Sequence, residues 1–139
     1  MTNKLPSVEL VIEVPFYDLD PMNVVWHGNY IKYFELVRCQ LLDEIDYGYL
    51  KMKDSGYMWP IVDIQLKYIN SASFGQILIC TATLVEYENR IKIKYTINCK
   101  NTGQRLTKGY SIQVAVDMNT KELQLVSPSI LHKKLKKFI

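Results

Sequence analysis

The chain has 139 residues, 48% hydrophobic and 22% charged, which is the balance of one globular domain and excludes a largely disordered chain. A net charge of +3, much of it in Lys133, Lys134, Lys136 and Lys137, gives no basic stripe suited to nucleic acid. No apolar run reaches the roughly 20 residues of a membrane span, and residues 1–6 lack the apolar stretch of a signal peptide, so a cytoplasmic location is expected.

Val8, Leu10, Ile12 and Val14 alternate with Ser7, Glu9, Val11 and Glu13, a period of two that predicts a strand. Pro15 ends that strand or marks it as an edge. Residues 18–29 show no regular period and are rich in Asp, Pro, Asn and Gly, which predicts an ordered loop. Over residues 30–45 the period becomes helical, through Tyr30, Phe34, Val37, Leu41 and Ile45. Ile31, Tyr33, Leu36 and Leu42 widen the apolar surface beyond one stripe, so this helix is expected to be mostly buried, with Asn29 as its N-cap. Gly48 lies just past it, and residues 49–54 could add one more turn.

Four strands are predicted next, over residues 58–69, 77–87, 91–99 and 106–117. The turns between them contain Asn70 and Gly75, Glu88 and Asn89, and Asn101 and Gly103. Near the end, Ser127 and Pro128 form an N-cap and first-turn pair, and Leu131, Leu135 and Phe138 share a helical face. No linker or repeat divides the chain, so residues 1–139 are read as a single domain. One strand, a buried helix and four long strands suggest an α+β fold in which a curled antiparallel sheet covers the helix.

The three cysteines, Cys39, Cys80 and Cys99, are widely spaced, and there are only two histidines. Reduced core thiols are expected, with no disulfide framework, no metal site and no cofactor.

Asp18 and Asp20 flank a leucine just before Pro21, and acids in such a setting commonly cap a turn. The same loop runs into the start of an apolar helix, where a carboxylate near free amides could act on a polarised carbonyl. His27 is either a structural hydrogen-bonding residue or part of that chemistry; Gly28 permits close approach, and Asn29 is a cap or a ligand contact. Asn23 is a loop residue able to take a left-handed conformation. Arg90, Lys92 and Lys94 form either a solvated face or an anchor for phosphate groups.

The run Tyr17-Asp18-Leu19-Asp20-Pro21-Met22-Asn23-Val24-Val25-Trp26-His27-Gly28-Asn29-Tyr30, continued by Ile31-Lys32-Tyr33-Phe34-Glu35-Leu36-Val37-Arg38, resembles the signature of the 4-hydroxybenzoyl-CoA thioesterase family. It is similar in particular to the YbgC-like acyl-CoA thioesterases. Asn23 stands where that family has Gly, and Phe16 where it often has Tyr.

The resemblance implies a hotdog fold: a long central helix wrapped by a five-stranded antiparallel sheet, assembled as a homodimer or homotetramer. It implies Asp20 as catalytic carboxylate, His27 as the family's histidine, and an amide near His27 and Gly28 polarising the thioester carbonyl; Gly28 and Asn29 are expected among the substrate contacts. Arg90 and Lys92 are the expected anchors for the CoA phosphates. The expected activity is hydrolysis of an acyl-CoA thioester, with Asp20 as nucleophile or general base. An acyl-carrier-protein thioesterase and a non-catalytic acyl-CoA-binding protein are the alternatives.

Overall fold

The structure, a computed structural model, describes residues 5–139; residues 1–4, part of the N-terminal stretch considered above, lie outside them. Strand β1 (Ser7–Glu13) is followed by a 3-10 turn (Phe16–Asp18), helix α1 (Asn29–Glu44) and a short helix α2 (Tyr49–Asp54). Strands β2 (Tyr57–Met58), β3 (Ile61–Tyr68), β4 (Ile77–Glu86), β5 (Ile91–Cys99), β6 (Arg105–Gln113) and β7 (Val116–Asp117) come next, then helix α3 (Ser129–Leu135). Five strands form one antiparallel sheet in the order β1-β4-β5-β6-β3, the helix-in-sheet arrangement expected from the sequence.

Alternation decides which side of the sheet holds the core. In β5, Ile91, Ile93, Tyr95, Ile97 and Cys99 are buried, while Lys92, Lys94, Thr96 and Asn98 point outward. Helix α1 lies on the buried side through Tyr30, Tyr33, Phe34, Val37, Leu41 and Leu42. The Phe34 ring stacks on Tyr95, with centroids 4.4 Å apart and planes 8° from parallel. Opposite them, a Cβ at Gly109 of β6 would collide with the Gln65 carbonyl and lie 3.0 Å from the Phe34 ring, so only glycine admits this approach. Among the described residues, no helix is long and apolar enough to cross a membrane.

Four expectations need correction. Helix α1 begins at Asn29 with Gly28 in the cap position, and no side chain among the described residues caps it. Ile31 and Leu36 lie outside the core, 41% and 48% exposed, so the apolar surface of α1 exceeds what one chain covers. The first and last of the four strands predicted after α1 are each broken: Pro60, lacking an N–H, separates β2 from β3, and β2 and β7 leave the main sheet to pair with each other. At α3, Pro128 rather than Ser127 takes the cap position.

Candidate active site

The loop between the 3-10 turn and α1 is held by backbone bonds that its turn residues make possible. Asp20 N–H donates to the Val24 carbonyl at 2.8 Å, and Asn23 N–H donates to the Asp20 carbonyl at 3.0 Å. Asn23 closes this turn at φ 64°, the left-handed conformation anticipated for it. Val25 N–H reaches the Ala72 carbonyl at 2.8 Å and docks the loop on the segment after β3.

The two acids of the loop part company. Asp18 is buried: its Oδ1 accepts from Lys32 Nζ at 2.7 Å, and its Oδ2 accepts from the Tyr33 hydroxyl at 2.6 Å. Its carbonyl takes the Trp26 N–H at 3.0 Å and the Asn29 side-chain amide at 2.9 Å. Burial, together with the adjacent Asp18, raises the Tyr33 pKa far above the ordinary phenol value, so this hydroxyl stays a donor. Asp18 therefore ties the loop to the first turns of α1.

Asp20 is half-buried and faces a cavity of about 290 Å³. Its Oδ1 accepts the Met22 N–H at 2.8 Å and, more weakly, the Val24 N–H at 3.4 Å. Its other oxygen has no partner among the described residues. The cavity wall includes His27, Tyr30, Tyr68 and Asn70. Tyr68 donates its hydroxyl to the His27 carbonyl at 3.1 Å, and the Tyr30 hydroxyl accepts the Ala72 N–H at 3.1 Å. Burial raises the Tyr30 pKa, which keeps its hydroxyl neutral.

At the mouth of α1, the Asn29 and Tyr30 amides turn back to the Trp26 and His27 carbonyls at 2.9 and 3.4 Å. The amides of His27 and Gly28 have no acceptor among the described residues. Gly28 has ordinary helical dihedrals, so φ does not require glycine there; a Cβ would instead strike the Trp26 ring that folds across it. The Asn29 side chain is engaged with the Asp18 carbonyl rather than with the cavity. Asp20 and His27 thus line one cavity, with Gly28 next to His27 in the chain.

Asp20 and His27 are brought together as the sequence suggested, with Gly28 beside them. Arg90 and Lys92 are not. They sit at the opposite end of the sheet, level with Ile61 and Ile112, roughly 20 Å along the strands from Tyr68. Arg90 pairs with Glu86 at 3.1 Å, and the Lys92 ammonium lies 4.7 Å from the centre of the Tyr110 ring. Sequence reasoning missed Tyr68, Asn70 and the Lys32–Tyr33 clamp. The helical spacing of Lys32 and Tyr33, one turn after Asn29, was the available signal for the clamp.

A long helix wrapped by a five-stranded antiparallel sheet, with an acidic loop at the helix mouth, defines the hotdog class. Residues 14–133 match the Thioesterase-like superfamily, and the chain belongs to that family, a thioester hydrolase among its members. A Bacillus subtilis protein named "Putative acyl-CoA thioesterase YneP" is 29% identical over 107 residues, 76% of this chain and 77% of that protein. A DHNA-CoA thioesterase from Staphylococcus aureus superposes with a TM-score of 0.82 at 22% identity, over 94% of this chain and 89% of that one. A second Staphylococcus aureus protein, solved in complex with CoA, reaches a TM-score of 0.85 at 13% identity, over 99% and 87% of the two chains.

Proposed function

We propose that this protein hydrolyses an acyl-CoA thioester to the free acid and CoA, with Asp20 as the catalytic carboxylate. One observation carries the reading. Asp20 is fixed through Oδ1 by the Met22 amide while its other oxygen has no partner among the described residues, on a cavity that His27, just before α1, also lines. The likeness to YneP and the resemblance to the 4-hydroxybenzoyl-CoA thioesterase family, its YbgC-like branch in particular, support acyl-CoA as the substrate.

In this reaction the thioester carbonyl accepts a hydrogen bond from the Gly28 or His27 N–H. Positive charge at the helix start favours the oxyanion that develops there. Asp20 either takes a proton from a water that attacks the carbonyl carbon or attacks it directly, giving an anhydride that water then opens. In both routes the carbon–sulfur bond breaks, and the thiolate leaves with the electron pair and is protonated afterwards. His27 orients the ester against Asp20. The expected assembly is a homodimer or homotetramer, in which the exposed Ile31 and Leu36 of α1 and the open edge of β3 offer apolar contact area.

Thiol release measured over short, long and aromatic acyl-CoA esters tests the reading. Turnover of at least one ester, lost in Asp20→Asn, is expected. Tight binding of every ester without thiol release would instead leave a binding protein.

A further inference from the structure

The outer face of the sheet holds a second feature. A groove of about 710 Å³ runs across β5, β6 and β3, and its lining includes Gln65, Lys67, Lys94, Arg105, Lys108 and Tyr110. No carboxylate lines it. Two acids near it are already engaged: Asp63 accepts from the Tyr110 hydroxyl at 3.2 Å, and Glu86 pairs with Arg90. Among the described residues, Lys67, Lys94 and Lys108 form no ion pair, while Arg105 Nε donates to Asn98 Oδ1 at 2.8 Å.

The register sharpens the conflict. Lys67 and Lys108 are direct cross-strand partners on this face. The other strand neighbour of Lys108 is the neutral Thr96. Like charges placed directly opposite each other destabilise a sheet, and among the described residues neither lysine has an ion-pair partner. A local conflict of this kind marks a place where a ligand completes the charge balance.

The groove and the candidate active site lie on opposite faces of β3 and meet at the end of that strand. Lys67 lines the groove, and the next residues of the chain, Tyr68, Ile69 and Asn70, line the Asp20 cavity. The Asn70 side-chain amide donates to the Arg105 carbonyl at 3.0 Å, so the two walls are bonded together. A substrate with a reactive acyl end and a polyphosphate end matches an acidic cavity followed along the chain by a basic groove.

Resting on the acyl-CoA reading above, we infer that the Lys67–Lys108 groove binds the phosphate groups of the substrate's nucleotide end. Lysine ammonium groups and the Arg105 guanidinium suit phosphate oxygens, which carry the charge the groove lacks. Lys92, expected from the sequence as an anchor, reaches this face at its far end, over Tyr110.

The test compares one acyl group carried on CoA and on pantetheine, which lacks the phosphates. In Lys67→Ala/Lys108→Ala, the KM for the CoA ester should rise about tenfold more than the KM for the pantetheine ester, matching the loss of one charge-assisted contact. Arg90→Ala/Lys92→Ala should show a smaller difference between the two esters. Equal changes for both esters in the Lys67/Lys108 variant, or none, would overturn the inference. Calorimetry with adenosine 3′,5′-bisphosphate separates this result from the fate of the thioesterase reading. If neither ester is hydrolysed by the unaltered protein, that reading fails, while salt-sensitive nucleotide binding lost in the variant still upholds the groove. Absent or variant-insensitive binding removes it.

Discussion

Asp18 and Asp20 have the same chemistry two positions apart, and the structure gives them opposite environments. Asp18 is enclosed by Tyr33 and Lys32; Asp20 keeps one oxygen without a partner among the described residues, beside a cavity. Replacing Asp18 by Ala leaves the Tyr33 hydroxyl buried without its acceptor, and we expect a loss of about 1–3 kcal/mol in urea unfolding. An unchanged urea midpoint would mean that the clamp contributes nothing to stability. Cys80 gives a pH-dependent counterpart. Burial pushes its thiol from 9.0 up to about 12, so the fold favours the neutral form. That contribution is fully present below pH 9 and is lost as pH rises through about 12. Between those limits the urea midpoint of the unaltered protein should fall more steeply than that of Cys80→Ala, and parallel slopes would contradict the assignment. The candidate status of Asp20 was legible in its loop and its motif. The role of Asp18 was not, because its partners lie 14 and 15 residues away and meet it only once α1 has docked.

At the scale of elements, the close approach of α1 to the sheet depends on Gly109. Gly109→Ala forces a methyl group against the Gln65 carbonyl, so β3 or α1 must shift, at a cost of about 1–3 kcal/mol. Thermal unfolding of that variant measures the cost, and wild-type stability would show that β3 moves aside freely. The alternating strands and the 3.6-residue period of α1 made every large element readable. The small sheet of β2 and β7 was not. Its strands appeared as continuations of β3 and β6, and only Pro60 hinted at a break. Buried Trp59 lies at that break, where its carbonyl accepts from the Gln113 side-chain amide at 2.8 Å, a tertiary bond with no trace in local pattern. The start of α1 was displaced by one residue for a similar reason, since Asn29 spends its side chain on the Asp18 carbonyl instead of capping the helix.

At the scale of the whole molecule, the sheet ends on one side at β3, with Ile61 and Val62 exposed along it at 39% and 58%. An apolar, unpaired edge invites pairing with another strand. We expect light scattering to give the mass of a dimer or tetramer and Val62→Lys to shift the population toward monomer. A monomeric unaltered protein at micromolar concentration would refute the expected assembly. Periodicity marked residues 58–69 as a strand but could not say that it would lie at the edge, because strand order is set by which faces find each other. The pairing of the two cavities across the end of β3 was hidden for the same reason.

Asp20→Asn tests the catalytic role of Asp20 most directly. The amide keeps an oxygen that can accept the Met22 N–H, so the loop geometry is retained while the charge is removed. With an acyl-CoA ester that the unaltered protein turns over, kcat should fall by about 10²–10⁴-fold with the unfolding midpoint preserved. A folded Asp20→Asn protein with near wild-type kcat would contradict the account.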